Sequence, residues 1–249
     1  SVVPDGKNHG LVFILDWSGS MSGVLTDTLK QLYNLIWFCR KVSIPFEVYA
    51  FTNEWNRSVR DYASGKIDAV DPKPLYEEKE YIFRVDDGFS LMNLFTSKVN
   101  AKTLEHQLLN IWRIANTFYN RYGAYYTYPH KLCLSGTPLN ETLLSLHKII
   151  PQFQKENKLQ KVQCIILTDG EAAQLPYHKE VTRHWEDEPY LGCRNVNPSS
   201  CFFRDRKVGK TYKIGYGYPE FTDMLVQNLK DNFPSTNFIG IRVLESRDA

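Results

Sequence analysis

Short apolar runs that alternate with helix-like patterns are the feature of this sequence that most constrains its fold. Residues 11–16 and 46–51 are apolar runs, and residues 25–42 between them place apolar side chains at helical spacing. Further apolar runs follow at 161–169 and 238–244. Such runs are typical of strands buried on both faces, and helices between them are typical of parallel sheets. We predict an α/β fold with a doubly wound, mostly parallel central sheet flanked by helices.

Other segments fit between these strands. Helical patterns are predicted over about 102–122, from Thr137-Pro138 onward, where Thr can cap the helix, and over 221–232. Residues 81–85 predict a short strand at an edge of the sheet.

Two polar excursions, at about 53–80 and 171–217, interrupt this pattern. The second contains a predicted hairpin at 204–210 with Gly209 in its turn and a cationic tip. We interpret residues 1–249 as a single domain with two insertions, and the initial Ser1 as a sign that it is a fragment of a longer chain.

Composition excludes several classes of protein. The 30 Lys and Arg residues nearly balance 28 Asp and Glu, so the net charge of +2 gives no field that favours nucleic acid. No apolar run approaches the roughly 20 residues of a membrane span. The five cysteines are odd in number and scattered, which argues against a disulfide framework and favours a reducing compartment. We predict a cytoplasmic protein, or one of the host cytoplasm if the chain is viral.

Three separated stretches carry the candidate chemistry, and each lies at a predicted strand end or helix start. They are Asp16-Trp-Ser-Gly-Ser-Met21, Ser135-Gly-Thr-Pro-Leu139 and Leu167-Thr-Asp-Gly170. Because ligands of open α/β sheets bind at the carboxyl ends of the strands, two acids and three hydroxyls should converge there. Oxygen ligands favour Mg²⁺, Mn²⁺ or Ca²⁺ over zinc. The sequence therefore predicts a divalent cation site at this rim, formed by residues of these three stretches.

A simpler interpretation exists for each of these residues taken alone. Asp16 and Asp169 could accept hydrogen bonds from loop amides, and the hydroxyls could cap helices. A zinc site made by His178, His184, Cys193 and Cys201 is a further alternative, although the spacing lacks the close pairs typical of zinc ligands. No nucleophile elbow surrounds Ser18, Ser20 or Ser135, and no Walker A pattern occurs, so we predict no enzymatic activity of the domain itself.

The pattern Asp16-x-Ser18-x-Ser20, a distant Thr137 and Asp169-Gly170 resembles the metal-ion-dependent adhesion site of von Willebrand factor A (VWA) domains. The resemblance implies a Rossmann-like VWA fold. It also implies direct hydroxyl ligands from Ser18, Ser20 and Thr137, with Asp16 and Asp169 acting largely through bound waters. The motifs are most similar to intracellular members: the VWA domains of CobT-type chelatase subunits, the partners of MoxR-like AAA+ ATPases, and CobT-like proteins of tailed bacteriophages.

The resemblance implies a metal-dependent protein interaction module. Its divalent cation, Mg²⁺ or else Mn²⁺ or Ca²⁺, would bind an acidic residue of a partner, and a MoxR- or CobS-like AAA+ ATPase or its substrate is the expected partner. Two alternatives stay open: a subunit of a cobalt or magnesium chelatase, and an RNA–protein scaffold. We also predict that the 171–217 excursion adds a contact surface beside the metal, with Arg206 and Lys207 steering an acidic partner.

Overall fold

The computed structural model describes residues 8–54, 59–60, 67–68, 76–86, 88–119, 128–182 and 188–244. Its central sheet has five strands: β1 (His9–Asp16), β2 (Phe46–Asn53), β5 (Phe89–Thr96), β6 (Lys161–Thr168) and β11 (Thr236–Arg242). Across the sheet they lie in the order β11-β6-β1-β2-β5. All neighbours in this sheet are parallel except β2 and β5, which are antiparallel. The prediction of a mostly parallel α/β sheet is confirmed.

Helices cover both faces of the sheet. They are α1 (Leu25–Lys41), α2 (Ala101–Tyr119), α3 (Leu139–Asn157) and α4 (Tyr218–Asn232). Apolar side chains of α1 and α2 pack on one face around Phe13 and Leu15 of β1, and those of α3 and α4 pack on the other around Val12 and Ile14. Because successive residues of a strand point to opposite faces, β1 serves both cores and is buried from Val12 to Asp16.

Short elements make up the rest of the described chain. Three two-stranded sheets pair β3 (Val59–Arg60) with β4 (Ile67–Asp68), β7 (Tyr177–Val181) with β8 (Tyr190–Arg194), and β9 (Phe202–Asp205) with β10 (Lys210–Lys213). Two 3-10 helices lie at Gly19–Gly23 and His130–Leu132. Within the described segments, no helix is both long and apolar enough to cross a membrane.

The edge strand differs from the sequence prediction. Residues 81–85 form no strand, and Phe83 makes only an isolated bridge with Tyr177. The edge is instead β5, which the sequence analysis did not identify. A register irregularity between Val48 and Tyr49 of its partner, together with polar Ser90 and Asn93, obscures the alternation expected of a half-buried strand. An antiparallel edge strand follows β2 without the crossover helix that a parallel strand would need.

Most other predicted elements are present. The predicted hairpin is confirmed as β9 and β10, with Gly209 in the left-handed region at φ 69°. Helix α2 ends at Tyr119 among the described residues, and positions 120–122 of its predicted span lie outside them. Much of the 53–80 excursion also lies outside the described residues. All five cysteines are free thiols, and Cys39 and Cys164 are buried.

Candidate metal site at the carboxyl edge of the sheet

The two candidate carboxylates lie at the same edge because they end neighbouring parallel strands. Asp16 is the last residue of β1, and Asp169 directly follows β6. These strands are paired in parallel up to Leu15 and Leu167. Adjacent parallel strands that end together bring the next residues to one rim, so the sequence expectation for these two acids is met by the topology.

The segment before α3 is joined to the loop after β1. The backbone N–H of Gly19 donates to the carbonyl of Ser135 at 2.7 Å, and the N–H of Ser135 donates to the carbonyl of Trp17 at 3.4 Å. Thr137 follows two residues later and lies against the loop after β6: a Cβ built on Gly170 would be 4.0 Å from Thr137 Oγ1. Three separated stretches of sequence therefore meet at this edge.

A chain of hydrogen bonds links four of the five predicted ligands and adds Thr168. The hydroxyls of Ser18 and Ser20 are 3.0 Å apart, and Ser20 Oγ donates to Asp169 Oδ1 at 3.0 Å. The backbone N–H of Ser18 donates to Asp16 Oδ1 at 2.9 Å. Thr168 Oγ1 donates to Asp16 Oδ2 at 2.5 Å. The side chains thus form one oxygen-rich cluster.

The capping interpretation of the hydroxyls does not hold for Ser18 and Thr137. Ser18 is the N-cap residue of the 3-10 helix at Gly19–Gly23, yet its side chain makes no capping hydrogen bond. The N-cap of α3 is Pro138 and also lacks a side-chain bond, so the prediction that Thr137 caps this helix is wrong. Proline there supplies a fixed φ and no side-chain acceptor, and the hydroxyl of Thr137 is left for another role.

Burial destabilises the charged form of the Asp16 carboxylate. Asp16 is 0% exposed, and this burial is the main reason that its pKa rises to about 6. The negative charge of Asp169 raises the pKa further, whereas the hydrogen bonds from Thr168 and Ser18 lower it without cancelling the burial effect. A buried carboxylate beside a second carboxylate is the arrangement that a bound cation would stabilise.

The donor set fits a hard divalent cation. Every candidate ligand atom is an oxygen, from two carboxylates and three hydroxyls, which suits Mg²⁺ or Ca²⁺. The Ser135 hydroxyl beside this cluster is buried and has no hydrogen-bond partner among the described residues. Among the described residues, no three His, Cys, Asp or Glu side chains come together as a metal-binding group. A cation at this edge would therefore depend on hydroxyls and water as well as on Asp16 and Asp169.

Thr168 and Ser135 are the residues whose roles the sequence analysis missed. Both stand inside the motifs that it singled out, but nothing in the spacing distinguishes them from ordinary loop hydroxyls. Thr168 is the residue that binds the second oxygen of Asp16. As for the alternative zinc ligands, His178 and Cys193 are paired across β7 and β8, and His184 lies outside the described residues.

The base of the 171–217 excursion is attached to this edge of the sheet. The amide of Asn140, in the first turn of α3, donates to the carbonyl of Ala173 at 2.7 Å. Its oxygen accepts a hydrogen bond from Thr222 Oγ1 of α4 at 2.9 Å. Asn140 is fully buried. One side chain therefore ties the start of α3 to both ends of the excursion.

The cationic tip of the hairpin lies elsewhere. Asp205 accepts hydrogen bonds from the side chains of Asn228 and Asn232, and Lys210 pairs with Asp231 at 2.7 Å. These partners form the last turns of α4, which starts near Asn140 and runs to the opposite edge of the sheet. The expectation that Arg206 and Lys207 lie beside the metal is therefore wrong, because β9 and β10 extend along α4 away from the candidate site.

Comparisons with known proteins add little to this geometry. No protein-family model matches the chain, and no curated protein matches it significantly. Among solved structures, the chain is similar to the pilus adhesin SpaC from Lactobacillus rhamnosus GG in an open conformation, with 15% sequence identity and a TM-score of 0.42. The similarity covers 95% of this chain and 24% of the adhesin chain, so the chain spans only a fraction of that protein. A similarity of this size identifies neither a family nor a function.

Proposed function

We propose that the domain is a metal-dependent protein interaction module of the VWA type. Its divalent cation is held by Asp16, Ser18, Ser20, Thr137 and Asp169. The observation that carries the proposal is the hydrogen-bonded cluster from Asp16 through Ser18 and Ser20 to Asp169, with Thr137 against Gly170. Five oxygen-bearing side chains from three stretches of sequence form one site at the edge where α/β proteins bind ligands.

The carboxylates and the hydroxyls would have different roles in binding the cation. Asp16 is fixed by Ser18 N–H and Thr168 Oγ1, so its carboxylate is held in place before any ligand arrives. Ser18, Ser20 and Thr137 offer uncharged oxygens, which leave most of the charge of the cation uncompensated. A Mg²⁺ ion in such a site supplies an electrophilic position that a carboxylate oxygen of another protein can occupy. The chain thus recruits an acidic residue rather than transforming a substrate.

The nature of the partner follows from the sequence resemblance alone. An AAA+ ATPase of the MoxR or CobS type, or a protein that such an ATPase acts on, is the partner we propose. The partner would provide an Asp or Glu on an accessible loop, because the candidate site lies at an open edge of the sheet. The domain would act as an adaptor in the cytoplasm.

Titration calorimetry with MgCl₂ tests the metal step. We expect one binding site per chain, absent in Asp16→Ala and unchanged in Asp27→Ala. Asp27 is a suitable control because it is an exposed aspartate of α1 whose carboxylate pairs with nearby Lys30 at 2.7 Å. Circular dichroism should show that both variants are folded. Equal Mg²⁺ binding by Asp16→Ala and the wild type would refute the assignment of the site.

Peptide binding tests the interaction step. The probe is a fluorescent peptide with a single Glu in a neutral sequence, and its control carries Gln at that position. Binding of the Glu peptide should need Mg²⁺, be lost in EDTA and be lost in Thr137→Ala. The Gln peptide should bind at most weakly. If the domain binds Mg²⁺ but not the Glu peptide, the site is a metal site of another kind, and the interaction proposal fails.

A further inference from the structure

Helices α1 and α2 lie side by side and run in opposite directions. At one end of the pair, Lys30 Nζ of α1 lies 5.9 Å from the centre of the Trp112 ring of α2. Near the other end, Arg40 Nη1 donates at 2.8 Å to the carbonyl of Val99, which comes just before the first residue of α2. Positions that rise along α1 therefore meet positions that fall along α2. The two helices form an antiparallel pair on one face of the sheet.

A groove of about 660 Å³ runs between the outer surfaces of these helices. The rings of Tyr33 and Trp112, both half-buried, lie 6.3 Å apart in it. Trp37 and Leu109 are 41% and 45% exposed, so the groove keeps apolar surface that is accessible to solvent. We call this surface the α1–α2 groove and define it by Lys30, Tyr33, Trp37, Glu105, Leu109 and Trp112.

Opposite charges stand at the two ends of the α1–α2 groove. Glu105 precedes Trp112 by seven positions in α2, and Trp37 follows Lys30 by seven positions in α1. Seven residues span about 10 Å of helix. Because the helices are antiparallel, Trp37 and Glu105 lie at one end, whereas Lys30 and Trp112 lie at the other. Each end therefore combines one tryptophan with one charged side chain, and the sign of the charge differs between the ends.

Both charged groups are available to another molecule. Lys30 pairs with Asp27 at 2.7 Å, but the two side chains are 58% and 75% exposed. Such exposed pairs contribute little to stability, so Lys30 can exchange this partner at small cost. Glu105 is exposed, and it has no ion-pair partner among the described residues.

We propose that the α1–α2 groove binds the same groove of a second copy, so that the chain forms a two-fold symmetric dimer. A two-fold interface needs a surface that is complementary to itself. A two-fold axis that lies in the interface and runs across the helices places the Lys30 end of one copy on the Glu105 end of the other. Each Lys30 then meets the partner's Glu105, and each Trp37 meets the end of the partner that carries Trp112.

The charges and the tryptophans of the groove select a second copy in this orientation. With the axis along the helices instead, each Lys30 would meet the partner's Lys30, and like charges across an interface are unfavourable. The groove also contains both parts of an apolar contact, since it offers a recess between the helices and an exposed Trp37 that can fill the recess of another copy. Tryptophan is enriched among the residues that dominate binding energy. Lys30 against the indole of the partner's Trp37 adds a cation–π attraction.

Dimerisation in this way would change how many partners the proposed metal-dependent module can hold. Helix α1 begins at the rim of the candidate metal site, directly after the 3-10 helix that contains Ser20. In the dimer the α1 helices of the two copies run in opposite directions, so the two rims lie at opposite ends. The dimer would therefore connect two acidic partners, whereas the contact between the copies itself needs no metal.

Light scattering over a concentration series measures the dimer, and EDTA in the buffer keeps the result independent of the candidate metal site. We expect the wild type to change from monomer to dimer as its concentration rises. Trp37→Ala should weaken the dimer at least about tenfold, because it removes the side chain that fills the partner's recess. Phe38→Ala is the matched control, since Phe38 is 57% exposed on α1 and lies outside the groove. Circular dichroism should show that both variants are folded.

A charge swap tests the orientation of the two copies. Lys30→Glu and Glu105→Lys each bring like charges together and should weaken the dimer several-fold, more strongly at low salt. The double variant Lys30→Glu/Glu105→Lys should restore it. A wild type that is monomeric at every concentration, or a dimer that Trp37→Ala leaves as strong as in the wild type, would overturn the proposal. A double variant that dimerises no better than the single variants would also overturn it, because the opposite ends of the groove would then not meet.

Discussion

Ser20 Oγ donates a hydrogen bond of 3.0 Å to Asp169 Oδ1, although 149 positions of sequence separate the two residues. The contact is possible because β1 and β6 are neighbours in the sheet and end together. It holds the loop after β1 against the loop after β6. A bond between a candidate hydroxyl ligand and a candidate carboxylate ligand means that both oxygens already point to the same volume.

Asp16→Asn should stabilise the domain and remove its response to metal. The substitution eliminates a fully buried negative charge near Asp169 while keeping an oxygen that can accept from Ser18 N–H. In EDTA we expect the free energy of unfolding to rise by about 1 to 2 kcal/mol. Substitution of a residue that is retained for function at a cost in stability commonly stabilises a protein. In MgCl₂ the wild type should melt at a higher temperature, whereas the variant should not respond. Thermal denaturation with both additives measures these effects.

Thr137→Ala should lower Mg²⁺ affinity about tenfold and leave stability in EDTA nearly unchanged. The reason is that α3 begins at Pro138 without a side-chain capping bond, so removal of the hydroxyl costs the helix little. Thr103→Ala in the first turn of α2 is the matched control, because Thr103 is exposed and away from the site. A large drop in melting temperature for Thr137→Ala in EDTA would show that the hydroxyl has a structural role instead.

Protonation of Asp205 should lower the free energy of unfolding of the domain in acid. Burial alone would raise the pKa of this carboxyl, but hydrogen bonds from Asn228 and Asn232 and from the backbone of Lys207 and Val208 outweigh it and lower the pKa to about 2. Because the folded pKa lies below the unfolded one, this stabilisation is complete above about pH 4 and is lost as the pH falls toward 2.

We therefore expect Asp205→Ala to reduce the free energy of unfolding by about 1 kcal/mol at pH 7, a value discounted for solvent screening. The difference from the wild type should shrink between pH 4 and pH 2. Urea denaturation across this range is the measurement, with Asp223→Ala, an exposed aspartate of α4, as the control. A difference that stays constant down to pH 2 would contradict the assignment.

Reversal of Arg206 and Lys207 to Glu should leave metal-dependent binding of the Glu peptide unchanged. The sequence alone favoured the opposite outcome, but the hairpin tip contacts the last turns of α4, far along the helix from Asn140. Stopped-flow association rates at several salt concentrations check this. Slower association with a flatter salt dependence would mean that the tip does face the bound partner.

The sequence predicted the buried strands and the shared rim of the two acids better than it predicted the edge of the sheet. Continuous apolar runs such as 11–16 are buried on both faces, so their composition alone indicates their place in the sheet. The motif positions Asp16 and Asp169 could be assigned to one rim because strand ends fix them. The edge strand β5 is half-exposed and irregular in register, so its pattern carries much less information.

The path of the hairpin and the role of Thr168 could not have been predicted, for a different physical reason. Contacts such as that of Asp205 with Asn232 depend on where two distant segments meet in space. The hydrogen bond of Thr168 to Asp16 likewise depends on the strand pairing and not on local spacing. Side-chain contacts between segments far apart in sequence leave no periodic signal.

Asn140 holds the two ends of the 171–217 excursion close together. Its amide nitrogen holds Ala173 near the start of the excursion and its amide oxygen holds Thr222 just beyond the end. The intervening chain is thus a loop closed at its neck by the side chain of Asn140, together with that of Gln174, whose amide donates to the carbonyl of Gly215 at 3.2 Å. Lengthening, shortening or replacing the distal part of that loop would change what the domain displays at the far end of α4 without moving the oxygens at the rim. The sequence of the distal loop can therefore vary while the residues of the candidate metal site stay the same.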